Sequence, residues 1–529
     1  MLWGFNPKTT HPFVHKEMQS AGQIKTLSID PVPNPSALSP SLWLRLKPGS
    51  DLYLALGLIK VMIEERLYDQ AFVDTWTHGV ERLKVQMADF SLEQAEKQTW
   101  VSREDIRKAA RFICRETPCC ILWGNALEAT RNSYQACRAI CIIRALSGNL
   151  GRPGSDVKWS DEGELRRRDP QLLLGNRIPD HLRKRRLSSI SGLLNDFGYA
   201  PHHMVMKAIL ESDPYPVRAA YLQNTNMICA NEDAARTRNA LTSLDFCVAT
   251  ELFMTPTAAL ADLVLPAASF LEFDSVEQPW HSPTAFVQQK VATFGEAKSD
   301  GQILNALARK LGLSPVWEHQ EACLDFFLEP AGITFETFRA KGAIGGTPQY
   351  IEKDLSRFPT PSGKVELYSA FLAEEGFAPL PRPDENDDAT ATSDDFPLLL
   401  TSRKSKVFYH SSGRQIHSLR NTCPCPQVRL HPEAAAARGI QDRDWVFITT
   451  SQGKIRQQAR LTTDIDTRVV LSEHGWWYPE KKNPDSLESC EANLNLLTQG
   501  ERHFNREIGS SHLRGIPCQV ALADSAKDN

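Results

Sequence analysis

No stretch of this 529-residue sequence approaches the roughly 18 consecutive apolar residues that a membrane-spanning helix requires. Charge of one sign is lacking too. The 60 Lys and Arg stand against 64 Asp and Glu, a net charge of −4, so nothing in the balance points to nucleic acid or an anionic membrane surface. No GxGxxG follows a strand pattern and no Walker loop is present, which removes the two commonest phosphate-binding signatures. Twelve cysteines are present, but none forms a CxxC pair or a regular zinc or iron–sulfur ladder. The groups Cys114 with Cys119-Cys120, Cys137 with Cys141, and Cys423 with Cys425 read as small buried apolar residues of a reduced, intracellular protein. The fourteen histidines have no paired spacing, and no Ser, His, Asp order of a nucleophilic triad stands out. The sequence does not open on a signal peptide or a twin-arginine leader. The expected compartment is the cytoplasm, or the periplasm if a leader precedes Met1.

What is present is an ordinary globular composition, 41% hydrophobic and 23% charged, in a chain long enough for several domains. Residues 1–155 alternate strand and helix. Ile24–Ile29 reads as a strand ending at Asp30-Pro31. Ser50 or Asp51 caps a helix whose apolar run extends from Leu52 to Ile63. Cys119–Trp123 reads as a strand halted by Gly124, followed by a helix over 131–147. Alternation of this kind predicts a parallel sheet with helices on its faces. Met1-Leu2-Trp3-Gly4 and Ile121-Leu122-Trp123-Gly124 use one device twice, an apolar strand end followed by Gly. In parallel sheets ligands bind beyond the carboxyl ends of strands, where Gly lets the backbone come close. Ala219–Leu222 running into Gln223-Asn224-Thr225-Asn226 is a third strand end, with amides in place of Gly.

Residues 156–380 read as a second α/β region. Its basic stretch over 163–190, which includes Arg166-Arg167-Arg168 and Arg183-Lys184-Arg185-Arg186, has no interleaved aromatics and reads as a solvated loop. Residues 381–395 are Pro-rich, then acidic and small, as in a linker. Over 396–522 the pattern turns to strands at Leu398–Thr401, Trp445–Thr450, Lys454–Leu461 and Arg468–Leu471. A Ser451-Gln452-Gly453 hairpin turn joins two of them, and together they predict a compact β-barrel.

The string Thr250-Glu251, then Thr255 through Ala268 with Ala261-Asp262-Leu263-Val264-Leu265-Pro266 at its centre, closely resembles a block of the molybdopterin oxidoreductases, the dimethyl sulfoxide reductase family. Other pieces follow in that family's order: Trp3-Gly4-Phe5-Asn6-Pro7, Asp30-Pro31, Pro48-Gly49-Ser50-Asp51, Ser147 through Gly154, Thr360 through Glu366, His474-Gly475-Trp476-Trp477 and Asn495-Leu496-Leu497-Thr498. The resemblance covers nearly the whole chain. It implies an α/β fold of Rossmann-like parallel-sheet domains, followed by a β-barrel of the double-psi type that binds a dinucleotide. The sequence departs from the family at Val32, where Arg is usual after Asp-Pro, and at Leu127, where Gln is frequent.

The implied cofactor is a bis-molybdopterin guanine dinucleotide holding molybdenum or tungsten. On this reading Gly4, Asn6 and Gly124, beside Trp3 and Trp123, approach one pyrophosphate and its guanosine. Asp30 bonds ribose or guanine. Asp51, next to Gly49, accepts from guanine in two charge-assisted hydrogen bonds. Glu251 and Asp300 serve the second dinucleotide, and Asn226 is a cofactor-binding amide at the third strand end. Thr401, Arg403, His410, Ser411 and Ser412 resemble the loop around pterin and phosphates, and Asn495 the late pterin-contacting Asn. The family carries a four-iron four-sulfur cluster and the metal's protein ligand ahead of its Trp-Gly block, and this sequence starts within that block. The expectation is therefore the C-terminal portion of a catalytic subunit, truncated or split, with its first strand cut short. Its implied partners are a small-molecule substrate and an N-terminal companion chain or iron–sulfur electron-transfer subunit. The implied reaction is oxygen-atom or hydride-equivalent transfer, as in anaerobic respiration. The alternatives are a non-redox hydratase of the acetylene hydratase type and a non-catalytic pterin-binding remnant.

Overall fold

The computed structural model describes residues 1–22, 24–37, 40–156, 165, 178–187, 193, 199–279, 284–314, 316–345, 357–384, 387–481 and 487–523. Arg166-Arg167-Arg168 of the basic stretch lie outside the described residues. The first sheet has four parallel strands in the order Pro40–Leu44, Thr26–Ile29, Leu2–Trp3, Leu122–Trp123. The two-residue strand Leu2–Trp3 is paired on both sides, Leu2 with Ser28 and Leu122, and Trp3 with Ile29 and Trp123. The two Leu-Trp-Gly strings are therefore neighbours in register, which explains the internal echo. The Met1 ammonium donates to the Cys120 carbonyl at 2.6 Å.

The Asp51–Glu64 helix buries nearly its whole length, because its apolar run covers more than one face. It packs against the Leu92–Thr99, Arg103–Arg115 and Ser133–Leu146 helices. Sequence reading allowed Ser50 or Asp51 to cap it. Ser50 does hold the N-cap position, but its hydroxyl donates to the Lys47 carbonyl at 2.8 Å and makes no capping bond. Residues 365–380, grouped above with the second region, return to the first. Val365–Glu366 pairs in parallel with Thr77–His78, and Leu367 and Leu380 join the first core.

The second region holds a three-stranded parallel sheet, Ala219–Gln223, Phe246–Glu251 and Leu263–Pro266. Beyond it, antiparallel strands Ser275–Glu277, Ala285–Gln288 and Ala343–Ile344 pack with the Gln320–Leu328 and Phe335–Lys341 helices around Phe335 and Phe338. The acidic segment expected as a linker is pinned down. Asp384 and Asp388 pair with Arg131 at 3.2 and 3.4 Å, and Asp387 accepts from the Asn132 amide at 2.8 Å.

The C-terminal part is a closed six-stranded barrel. Its order is Leu398–Arg403, Val469–Glu473, Gln427–Leu430, Lys454–Leu461, Trp445–Thr449, Ile516–Leu522. Inward residues at period two, such as Val446, Ile448, Ile455 and Ala459, build its core. Two strands escaped the sequence reading, Gln427–Leu430 and Ile516–Leu522. Each is interrupted or preceded by Pro, and each alternates too briefly to stand out. The second closes the barrel. Among the described residues, no helix is long and apolar enough to cross a membrane.

Candidate functional site

A cleft of about 760 Å³ opens where the carboxyl ends of the first sheet meet the barrel. Such a volume is in the range of small-molecule and cofactor sites, about 300–1,000 Å³. From the sheet side it is lined by Gly4, Asn6, Asp30, Gly49, Asp51, Trp123 and Gly124, and from the barrel by Thr401 and Arg403. These nine of the expected site residues are brought together. Trp3 lies fully buried beneath them, its indole N–H donating to Asp51 Oδ1 at 2.8 Å.

Local structure explains the lip of the cleft. Gly4 N–H bonds the Ile29 carbonyl at 2.9 Å and Gly124 N–H the Trp3 carbonyl at 3.0 Å, so both strands end side by side. A Cβ on Gly124 would stand 2.2 Å from the Gly4 carbonyl oxygen, a distance no side chain tolerates. The Asn6 carboxamide oxygen accepts from the Ser36 hydroxyl at 2.6 Å. Val32, in the place of the family's Arg, supplies only a backbone N–H, 3.1 Å from Asp30 Oδ1. Burial raises both carboxyls, Asp30 to about 7 and Asp51 to about 6.

The barrel side is cationic. Besides Arg403, the cleft is lined by Lys404, Lys406, Arg429 and Arg514. Arg403 Nη1 and Arg514 Nε are buried N–H groups without a hydrogen-bond acceptor. Arg514 Nη1 donates to the hydroxyl and carbonyl of Ser402. Glu473, nearly fully buried behind Arg403 and Arg414, has its carboxyl raised by burial and held back by those two charges. Arg414 is buried with its guanidinium 3.8 Å from the Phe408 ring centroid and 4.7 Å from that of Trp476, and burial draws it down to about 10.

His410, Ser411 and Ser412 do not line the cleft; they form a loop braced by residues 474–477. His410 Nδ1 meets His474 Nε2 at 3.0 Å, His474 Nδ1 meets the Arg403 carbonyl at 2.9 Å, and Trp477 Nε1 donates to the Ser411 carbonyl at 2.8 Å. Ser412 N–H closes a turn on the Tyr409 carbonyl at 2.9 Å. Burial pushes His474 down to about 4, so it is neutral and holds the Arg403 backbone through its one hydrogen bond to the carbonyl.

The remaining expected residues stand elsewhere. Glu251 ends the Phe246–Glu251 strand, accepts from Leu252 N–H at 2.8 Å, and is raised by burial, with a smaller contribution from the nearby Asp300 charge. Asp300 opens the Asp300–Lys310 helix, which Ser299 and Gln302 close with a capping box. Asn226 is buried, its Oδ1 accepting from the Thr257 hydroxyl at 2.8 Å and its Nδ2 unpartnered. Asn495 spends its amide on the Cys229 carbonyl at 3.0 Å, across the seam between second sheet and barrel. Cys229 and Cys490 lie in that seam, their sulfurs 4.0 Å apart.

The cleft fits a dinucleotide. Carboxylates from the sheet side can accept from a base or ribose, cations from the barrel side can face phosphates or a base carbonyl, and glycines leave room for close approach. Among the described residues no three His, Cys, Asp or Glu side chains converge as a metal-ligand set. Sequence reasoning missed Ser402, Lys404, Lys406, Arg429, Arg514 and the bracing role of His474. The Ile516–Leu522 strand was the signal that would have led to Arg514.

Comparison with known proteins agrees with this architecture. Residues 1–310 match the model of the molybdopterin oxidoreductases, and residues 398–507 that of the molydopterin dinucleotide binding domain. The chain belongs to the molybdopterin oxidoreductase family. It is 30% identical to the acetylene hydratase of Syntrophotalea acetylenica over 93% of this chain and 72% of that protein. It is 26% identical to the F420-dependent formate dehydrogenase subunit alpha of Methanocaldococcus jannaschii, over 94% of this chain and 73% of that one. The solved acetylene hydratase from Pelobacter acetylenicus superposes with a TM-score of 0.88 at 25% identity, covering 99% of this chain and 78% of that one.

Proposed function

We propose that this chain binds molybdopterin guanine dinucleotide in the cleft between the first sheet and the barrel, as the cofactor-holding part of a redox enzyme. The observation that carries the reading is the meeting of Asp30 and Asp51 with Arg403 and Arg514 around one opening, with two buried Arg N–H groups lacking acceptors. When bound, the pterin-held molybdenum or tungsten supplies two-electron chemistry. Thr401 and Arg403 orient the pterin and phosphate end, and the loop over His410, Ser411 and Ser412 braces Arg403 from behind through His474. Asp30, Asp51 and Trp3 hold the guanosine end. Glu251 and Asp300 serve a second dinucleotide at the other sheet, Asn226 offers an amide at that sheet's strand end, and Asn495 contacts the pterin. Similarity to formate dehydrogenase subunits supports the redox reading. Likeness to acetylene hydratase in sequence and structure supports a second one, in which the metal acts on water or substrate without net redox change.

The test is to produce the chain in a host that makes the cofactor, then measure guanine nucleotide and oxidised pterin released by acid. Equal amounts of pterin and guanine nucleotide are expected, at one to two per chain. Absence of both sinks the reading. Dye-linked oxidation or reduction by the loaded protein, set against hydration of acetylene, separates the redox reading from the hydratase one.

A further inference from the structure

We propose that Arg514 determines which base the cleft accepts: its guanidinium donates to a carbonyl oxygen on the purine edge while Asp30 and Asp51 accept from the N–H groups beside that oxygen. The inference rests on the reading that the cleft takes a purine dinucleotide, and it assigns a residue that neither the motifs nor the family match singles out.

The placement of Arg514 is tightly determined. It precedes the Ile516–Leu522 strand in a segment clamped between barrel and first α/β region. Leu513 N–H bonds the Ala129 carbonyl and Gly515 N–H the Leu400 carbonyl, each at 2.9 Å. A Cβ on Gly515 would stand 2.3 Å from the Pro48 carbonyl oxygen, and one on Gly49 2.9 Å from the Arg514 carbonyl oxygen. The backbones of the Pro48–Asp51 turn and of Arg514 are thus pressed together, and Asp51 and Arg514 both line the cleft.

The guanidinium is only partly used. Nη1 is committed to Ser402, while Nε is buried without an acceptor. Asp30 and Asp51 feel the Arg514 charge, but neither closes an ion pair with it. An arginine with donors to spare therefore faces two carboxylates across a gap. Trp3 engages one oxygen of Asp51, and the Val32 amide one oxygen of Asp30. A carboxylate offers about four acceptor positions, so both retain capacity for a ligand.

Together the three side chains offer the cleft one donor group and two acceptor groups. Guanine presents the complement along its six-membered edge: O6 accepts, while N1–H and the exocyclic amine donate. Adenine puts an amine where O6 would be and a bare nitrogen at N1, and cytosine likewise places its amine opposite the guanidinium. Either would leave Arg514 and a carboxylate facing groups of their own kind. A site built to bond a polar group rejects analogues that lack it far more strongly than an apolar pocket rejects a misfit.

The experiment is isothermal titration calorimetry of the full chain with GDP, ADP and 6-thio-GDP, in wild type, Arg514→Met and Arg514→Lys. Wild type is expected to prefer GDP over ADP by about 100-fold and over 6-thio-GDP, in which sulfur replaces O6, by about tenfold. Arg514→Met should weaken GDP by about 30-fold and reduce its preference over ADP to below about fivefold, with Arg514→Lys between. If Arg514→Met weakens GDP and ADP equally, the residue serves phosphate and the proposal is overturned. The 6-thio-GDP arm needs no substitution and stands even if the variants fail to fold; binding equal to that of GDP also overturns the proposal. A wild type that prefers GDP while Arg514→Met keeps the preference removes Arg514 and leaves the dinucleotide reading intact. A wild type that binds neither nucleotide removes both.

Discussion

The two parallel sheets of this chain end differently. The carboxyl ends of the first are roofed by the barrel, and the gap between them collects buried carboxylates on one side and arginines with spare donors on the other. The ends of the second sheet, beyond Glu251, run into Leu252, Phe253 and Met254, all about half exposed or more, with Phe270 and Phe294 more open still. Both ends carry acids that the same motif logic selects. The difference teaches that a strand end gathers carboxylates and cations around one gap where a second element closes over it, whereas at the open end Glu251 is raised by its own partial burial beside Asp300 without such a roof.

The largest expected effect comes from filling the lip of the first cleft. Gly124→Val should cost about 3 kcal/mol or more in urea unfolding, because its Cβ would meet the Gly4 carbonyl. Gly301→Ala, at the other sheet's acid cluster and with nothing within 4 Å, should be neutral or stabilising by up to about 1 kcal/mol. Equal effects at the two glycines would abolish the contrast between the regions.

Next is Asp51→Ala. It removes the acceptor of the Trp3 indole and should weaken GDP binding by about tenfold or more, at a stability cost of about 1–2 kcal/mol. Glu251→Ala should leave GDP affinity at the first cleft unchanged in the same titration. A large loss there would mean that the two ends act as one site.

A smaller effect is pH-dependent. Asp30 is raised by burial to about 7 and Asp51 to about 6, from an ordinary value of 3.8. The folded chain therefore holds protons that the unfolded chain gives up. This contribution to stability is fully present below the ordinary value and is lost as pH rises through 6 to 7. Asp30→Asn should flatten the fall in thermal midpoint between pH 5 and 8 in the nucleotide-free protein. GDP uses the ionised carboxylates, so its affinity should rise over the same interval, with proton release visible as a buffer-dependent binding enthalpy.

The smallest expected effect lies on the open side. Phe294→Ser and Leu307→Ser should each change stability by less than about 0.5 kcal/mol, because both side chains already face solvent. A loss several times greater would mean that this face is covered in solution.

Much of the architecture could be read from residue order. The paired Leu-Trp-Gly strings, the apolar run from Leu52 to Ile63 and the alternation over Lys454–Leu461 are local signals, and each became the expected element. Half of the cleft was legible for the same reason, since Gly4, Asp30, Asp51 and Gly124 lie at strand ends or a helix start. The other half was not. Lys404, Arg429 and Arg514 are single charges in ordinary surroundings, and they converge only because a barrel with parallel as well as antiparallel pairings brings distant strands beside the first sheet. His474 was visible as part of a motif, but its bond to the Arg403 carbonyl spans 71 residues, and no spacing rule reaches so far.

The acidic strap over Arg131 bears on how the barrel is held over the cleft. Arg131 holds Asp384 and Asp388, its carbonyl accepts from Asn505 and its N–H meets His512, while next door Ser133 bonds Ser510 and Gln135 bonds Glu507. One short stretch of helix start thus fastens both the strap and the segment leading to Arg514. A barrel moored this way is held to the first α/β region at several points at once, so the loss of any one bond leaves its position over the cleft set by the others.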